Sequence, residues 1–325
     1  MGSLIGSLVG SASPPPILRQ SYHFDAAGRD IEYALFVPSD AKATQKKRPL
    51  LVLLHGLFSN PQQVIRYPGV VDEAERRGYL VVAPYGYNER GWYGSRGVTM
   101  KDPFSLLCGA GKDPENLGEL SERDVLNVLD IVRREYEVDE DRIYLAGHSM
   151  GGAGTVHLGA SYPQIWAALA PLSPALPGNV ELLEKMRDTP VMFVAAEKDK
   201  VTPVEPVREW VAAMKALGMQ HRYTEIEGGH HLSVSSSPKI IAEVFDFFDG
   251  HTAKRPPGGE GLAAEALSAA EALPAAEALP VAEALPAAEA PAAEALPAAE
   301  APPAAEALAA AEALPAATDA AEASA

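Results

Sequence analysis

The chain has 325 residues and a formal net charge of −17 at pH 7, room for one large domain or two ordinary ones. The charge is unevenly spread: from Gly258 onward there are twelve acids and no Lys or Arg, which leaves −5 for residues 1–257. Neither part carries the basic stripe of a nucleic-acid-binding protein, and no apolar run reaches the roughly 18 residues of a membrane span.

The N-terminal "MGSLIGSLVGSASPPP" has a short apolar run and an SAS that resembles a cleavage site. It lacks a positively charged start and reads as a flexible segment, residues 1–17. Cys108 is alone, which excludes an internal disulfide and a cysteine zinc cluster. A lone cysteine fits a reducing compartment, so a cytoplasmic setting is favoured; a core of this size is stable without staples, which leaves secretion as the alternative.

Residues 18–252 read as alternating strands and helices. "IEYALFVPS" (31–39) alternates as an early strand, while "PLLVLLHG" (49–56) and "YLVVAPYG" (79–86) are continuous apolar runs of the kind covered on both faces. Between them lies a helical pattern ending at Gly78, a plausible C-cap. A long stretch with Trp92, Tyr93, Phe104 and Leu106 leads to the amphipathic helix "LSERDVLNVLDIVRREY" (120–136), with Ser121 placed as its N-cap. Strand "RIYLAGHS", helix "MGGAGTVHLGASYP", strands "WAALAPLS" and "PVMFVAAE", helix "PVREWVAAMKALG", strand "HRYTEIE" and helix "SPKIIAEVFDFFDGH" follow. This order predicts an α/β fold, a mostly parallel sheet flanked by helices on both faces. Residues 253–325 repeat "AEALPA". A proline about every sixth residue stops helix propagation, and there is no core to bury, so the tail reads as a solvated spacer. It is either a dispensable low-complexity extension or an interaction segment for an unidentified partner.

"GHSMG" (147–151) sits where a strand meets a helix, the context a G-x-S-x-G nucleophile elbow requires. The serine would occupy a strained turn, flanked by glycines because strand and helix nearly touch. A serine nucleophile needs a base and an orienting carboxylate, in the chain order Ser, acid, His on loops after later strands. Asp199 in "EKDKVTP" is the acid, with Glu197 as a rival nearer the strand end. "EGGHHLSV" offers His230 and His231, which backbone geometry alone does not separate. His157, inside a helix, is structural. "LLHGLFSN" (53–60) follows the first long strand and would present the Leu57 N–H as one oxyanion donor, with the Met150 N–H as the other.

Together, "HG" after a strand, "GHSMGG", "EKDKVTP" and "GGHHLSV" resemble the α/β-hydrolase superfamily. Within it the chain is similar to polyhydroxybutyrate-depolymerase-like, feruloyl-esterase-like and dienelactone-hydrolase-like esterases. "SERDVLNVLDIVRREYEVDEDRIYLAGHSMGG" is similar to the segment of that group that runs through a helix into the elbow strand. The resemblance covers about residues 25–250. It implies a serine carboxylic-ester hydrolase without metal or organic cofactor, with Ser149 as nucleophile, Asp199 as acid and His231 as base. The pattern Glu-Gly-Gly-x-His of similar sequences puts His231, rather than His230, at the base position. Two departures matter: the dienelactone hydrolases use cysteine, and the secreted polymer depolymerases carry disulfides and a binding module absent here. Small to medium soluble acyl or aryl esters are therefore expected as substrate. Trp92 and Tyr93 either rim the pocket or anchor their loop to the body. The segment between Pro171 and Pro190 is too short for a large lid. The alternatives are a peptidase or acylaminoacyl hydrolase with the same triad, or a non-catalytic binding protein of the same fold.

Overall fold

Aliphatic runs with no polar side need cover on both faces, and five of them form the middle of an eight-stranded sheet. In the computed structural model, residues 16–41, 46–95, 113–176 and 180–253 are described. The acidic tail from residue 254, the first fifteen residues, 177–179, and 96–112 with Phe104, Leu106 and Cys108 lie outside them. The strands are β1 (Leu18–Phe24), β2 (Arg29–Phe36), β3 (Arg48–Leu54), β4 (Leu80–Pro84), β5 (Val138–His148), β6 (Ala168–Leu172), β7 (Val191–Ala196) and β8 (His221–Ile226). Their order is β1-β2-β4-β3-β5-β6-β7-β8, with β1 and β2 antiparallel and β3 to β8 parallel. Every residue of β3, β4, β6 and β7 is buried.

The helices are α1 (Pro61–Val64), α2 (Val70–Arg77), α3 (Leu117–Glu135), α4 (Met150–Ser161), α5 (Leu182–Lys185), α6 (Val204–Ala216), α7 (His231–Ser235) and α8 (Pro238–Asp249). Leu51 and Leu53 of β3 share one cluster with Val70 and Ala74 of α2 and Phe245 and Phe248 of α8. The alternate residues Leu50, Val52 and Leu54, equally buried, face the other side. There α3, α4 and α6 pack, with Trp210 of α6 set edge-on against Phe193 of β7. This is the α/β-hydrolase architecture.

Four local expectations shift. β1 forms although its polar run gave no strand signal; it is an edge strand whose hydrogen bonds to β2, not its side chains, define it. The helix before Gly78 breaks into α1 and α2, because Gly69 is left-handed at φ 94° and follows a proline. Gly78 itself is a C-cap at φ 75°, as expected. α3 starts at Leu117, so Ser121 is no N-cap but a buried residue inside the helix. Lastly, β5 begins at Val138 and α7 was not anticipated.

A three-acid clasp holds the chain that follows α7. The Arg77 guanidinium of α2 reaches Glu73 at 2.8 Å, Asp246 at 2.6 Å and Asp249 at 2.5 Å, and Tyr79 donates to Asp249 at 2.7 Å. Because α8 directly follows α7, the clasp fixes one end of the segment carrying His231.

The tightest packing is at the C-terminal end of β5. A Cβ on Gly147 would run into the Gly151 carbonyl, and one on Gly151 would meet the Leu54 carbonyl and lie 2.8 Å from the His55 carbonyl. All of these are main-chain atoms that cannot swing aside. Gly147→Ala is therefore expected to cost about 1–3 kcal/mol, lowering the melting temperature by about 2–12 °C. Thermal unfolding followed by circular dichroism tests this, with Gly250→Ala, where a Cβ would come no nearer than 3.4 Å, as the neutral control. Equal melting temperatures for the two variants would show that the crowding is not real.

Candidate active site

Ser149 stands between β5 and α4 at φ 59°, ψ −114°, a conformation costing a non-glycine residue about 1–3 kcal/mol. Main-chain bonds over-determine it: Ser149 N–H donates to the Leu172 carbonyl at 2.9 Å, and its own carbonyl accepts from Ala153 and Ala175, each at 3.1 Å. Five neighbouring non-glycine residues share positive φ: Phe58, Tyr87, Trp92, Tyr93 and Ser173. All lie on loops following β3, β4 and β6, at the edge where Ser149 stands.

The turn after β3 lies directly against the elbow, since a Cβ on Gly56 would come within 3.5 Å of the Ser149 Cβ. Phe58 N–H is taken by the Glu89 carbonyl at 2.9 Å. Among the described residues, no acceptor meets the Leu57 N–H or the Met150 N–H. The Met150 N–H also lies at the positive end of the α4 dipole.

Asp199, after β7, and His231, after β8, meet with Oδ2 and Nδ1 2.8 Å apart. Their side chains are 1% and 3% exposed. Asp199 Oδ1 accepts from the N–H groups of Val201 and Thr202, both at 2.9 Å. Thr202 Oγ1 lies 2.8 Å from Asp199 Oδ2, 3.1 Å from the Ser173 carbonyl and 3.2 Å from His231 Nδ1. Its single proton serves one of the two oxygens while its lone pairs face the imidazole. Burial alone pushes the Asp199 carboxyl up, but the His231 hydrogen bond and charge, with the Thr202 bonds, outweigh it and hold the group below the usual carboxylate range.

The other candidates stand apart from this pair. Glu197 accepts the Gly228 N–H at 2.7 Å and so holds the loop after β8. His230 is exposed, its ring 3.2 Å from the Lys198 carbonyl. His157 pairs with Glu122 at 2.5 Å, joining α4 to α3. Trp92 is half-buried. Tyr93 does not stand at a rim: its side chain is 0% exposed, packed beneath α4.

Three residues around the pair were not singled out from the sequence. His148, the variable position of the elbow, lies with its ring tilted by 40° and its centroid 4.7 Å from that of the His231 ring. Its Nε2 lies 3.2 Å from the His231 carbonyl and its Nδ1 3.3 Å from the Tyr67 hydroxyl. Burial, then the His231 charge, push His148 down to about 3. It is therefore neutral, donating from Nε2 and accepting at Nδ1. Thr202 could have been found from the spacing D-x-x-T, which suits an Asx turn; Tyr67 and His148 left no comparable signal. Among the described residues, no three His, Cys, Asp or Glu side chains converge as a metal site, and no helix is long and apolar enough to cross a membrane.

A thermostable esterase of known structure is 28% identical, with a TM-score of 0.53, covering 73% of this chain and 63% of its own. An S-formylglutathione hydrolase from Agrobacterium tumefaciens, 14% identical with a TM-score of 0.58 over 73% of this chain and 98% of its own, shares the fold. A bifunctional acetylxylan esterase/xylanase from Neocallimastix patriciarum is 27% identical over 56% of this chain and 23% of its own. Feruloyl esterase B from Neurospora crassa is 28% identical over 48% of each. The chain spans about half or less of the length of the curated relatives it matches. The Esterase family model matches residues 25–246, more than half of the chain, and the protein belongs to that family.

Proposed function

We propose that the protein is a serine carboxylic-ester hydrolase acting on small to medium acyl or aryl esters through Ser149, His231 and Asp199. The observation that carries this reading is the buried Asp199–His231 pair, 2.8 Å apart, on loops that share a sheet edge with the strained Ser149. His231 Nδ1–H donates to Asp199, which fixes the tautomer and leaves Nε2 as the base. Ser149 Oγ attacks the ester carbonyl carbon as Nε2 takes its proton. The tetrahedral oxyanion accepts from the N–H groups of Leu57 and Met150. Collapse expels the alcohol, which receives the proton from Nε2, and leaves an acyl-Ser149. Water, deprotonated by His231, then releases the acid and restores the serine.

The substrate class rests on two supports. Relatives bear the names of acetylxylan and feruloyl esterases, and half-buried Trp92 and 51%-exposed Leu232, beside His231, add apolar surface near the proposed triad.

Three outcomes test this reading. With p-nitrophenyl acetate, Ser149→Ala and His231→Ala are each expected to lower kcat by about 10⁴-fold or more. His230→Ala stays within about threefold. A fluorophosphonate probe labels wild-type protein at Ser149 and not Ser149→Ala; unlabelled wild type would sink the hydrolase reading, and the reverse result for the two histidines would move the base by one residue.

Asp199→Asn should lower kcat by about 10³–10⁴-fold and also change the pH dependence of folding. Because the folded Asp199 carboxyl lies below its unfolded value, its ionised form stabilises the fold at pH above the unfolded carboxyl pKa. That stability is lost as pH falls through the folded value. Urea unfolding between pH 7 and pH 3 should give curves for wild type and Asp199→Asn that converge towards acid; parallel curves would contradict the assigned shift.

Trp92→Ala is expected to change the ratio of kcat/KM between acetyl and hydroxycinnamoyl esters by about tenfold. An unchanged ratio over a panel of p-nitrophenyl, aryl and hydroxycinnamoyl esters removes Trp92 from the acyl pocket.

A further inference from the structure

Tyr93 is tied to the proposed oxyanion turn more closely than to any opening. Its hydroxyl accepts the His55 N–H at 3.0 Å and lies 3.4 Å from the His55 carbonyl, so one buried phenol brackets both polar groups of a single residue. That residue immediately precedes Gly56 and Leu57. The rest of the turn is anchored as well: His55 Nδ1 faces the Gly56 carbonyl at 2.8 Å, His55 Nε2 faces the Tyr85 carbonyl at 2.9 Å, and Ser59 N–H reaches the Gly56 carbonyl at 3.1 Å. The His55 and Tyr93 rings meet edge-on, with centroids 5.6 Å apart.

Tyr93 is itself held from three sides. Its N–H donates to the buried Ser121 Oγ of α3 at 2.9 Å. A Cβ on Gly154 of α4 would lie 2.7 Å from its ring, and one on Gly86, after β4, would strike it. Trp92 and Tyr93 sit at φ 57° and 52°, a left-handed pair that bulky residues adopt only where surrounding contacts dictate it. Burial pushes the phenol well up, so it remains a neutral hydroxyl. One residue thus links α3, through its N–H, to the helix behind Ser149 and to the backbone that leads to the Leu57 N–H, through its side chain.

We propose that Tyr93 is a positioning residue for oxyanion stabilisation: its hydroxyl fixes the His55–Gly56 peptide so that the Leu57 N–H points at the place where negative charge develops beside Ser149. The proposal rests on the serine-hydrolase reading above for its catalytic consequence, but its structural half stands alone. Preorganised donors act only if they do not have to reorient as charge forms. Loss of the clip therefore slows turnover without weakening ground-state binding.

Tyr93→Phe keeps the ring and removes the clip. Turnover of p-nitrophenyl acetate is expected to fall about tenfold or more in kcat, with KM within about twofold and the acid limb of the pH profile unmoved. Affinity for an aryl boronic acid, which forms a tetrahedral adduct on the serine, falls by the same factor as kcat/KM. Amide hydrogen exchange in a peptide spanning residues 53–60 speeds up about tenfold, more than in a peptide from β7. Ser121→Ala, which releases the Tyr93 N–H, gives the same signature at smaller amplitude and serves if Tyr93→Phe does not fold. A kcat within twofold of wild type with unchanged boronate affinity overturns the proposal, as does a loss carried by KM or by a shifted pH profile. Unchanged exchange at residues 53–60 also overturns it, even if the wild-type protein hydrolyses no ester. Failure of wild type to take the fluorophosphonate label, with exchange altered as expected, counts instead against the hydrolase reading and leaves the Tyr93 clip supported.

Discussion

The arrangement depends on one steric constraint: at the C-terminal ends of β3 and β5, three stretches of backbone meet with no room for a Cβ. Gly147 faces the Gly151 carbonyl, and Gly151 faces the carbonyls of Leu54 and His55. Because α4 leaves β5 in this confined space, the chain turns through a single strained residue, and that residue is Ser149. The same approach brings the end of β3, and with it the Gly56–Leu57 turn, alongside the serine. The places of the proposed nucleophile and the proposed oxyanion donor are therefore two consequences of one close contact, both set by main-chain atoms.

Strain at such an edge persists only where surrounding bonds hold it. Four of the five positive-φ residues named around Ser149 show such support. Phe58 is held by the Glu89 carbonyl, Tyr93 by Ser121, and Ser173 by the Val194 carbonyl and Thr202. Tyr87 shares with Gly86 the buried carboxylate of Asp124, which accepts their N–H groups at 3.3 and 2.6 Å. Tyr22 of β1 donates to the other oxygen of that carboxylate at 2.7 Å. Burial nevertheless pushes Asp124 up to about 6, because it takes its charge deep inside α3. The antiparallel edge of the sheet, remote from the serine, is thus joined through one carboxylate to the loop after β4.

Much of this was legible from residue order. Apolar runs with no polar face marked β3, β4, β5, β6 and β7, and G-x-S-x-G between strand and helix marked the elbow, because both signals are local and short in range. The pairing of Asp199 with one of two adjacent histidines was narrower than local pattern could resolve. Backbone freedom after two glycines permits either ring to turn inward; the register of similar sequences points to His231, and in the fold His231 is buried beside Asp199 while His230 is exposed. Ser121 misled for a related reason, and Tyr93 stayed open between rim and anchor. A serine near a helical pattern reads as a cap and an aromatic in a long loop as either, yet each is buried here and bonded to the other. Contacts between residues 28 positions apart leave no periodic trace in a chain.

The second imidazole sharpens the electrostatics of the edge. His148 and His231 lie 4.7 Å apart, close enough that two positive charges would repel strongly in a buried setting. The two rings are not equivalent. His148 faces a carbonyl and a phenol, neither of which carries charge, and burial drives it to about 3. His231 faces the carboxylate of Asp199, itself kept ionised by four donors from His231, Val201 and Thr202. Of the two rings, only that of His231 therefore faces a countercharge. The neutral ring meanwhile holds the His231 main chain through its carbonyl, so it constrains the proposed base without competing for its proton. Replacing that constraint with a cationic side chain would set a like charge against the imidazolium of the proposed mechanism, and an apolar one would leave the His231 carbonyl and the Tyr67 hydroxyl without these partners. A neutral side chain that can both donate and accept suits this position, and a histidine depressed by burial supplies one.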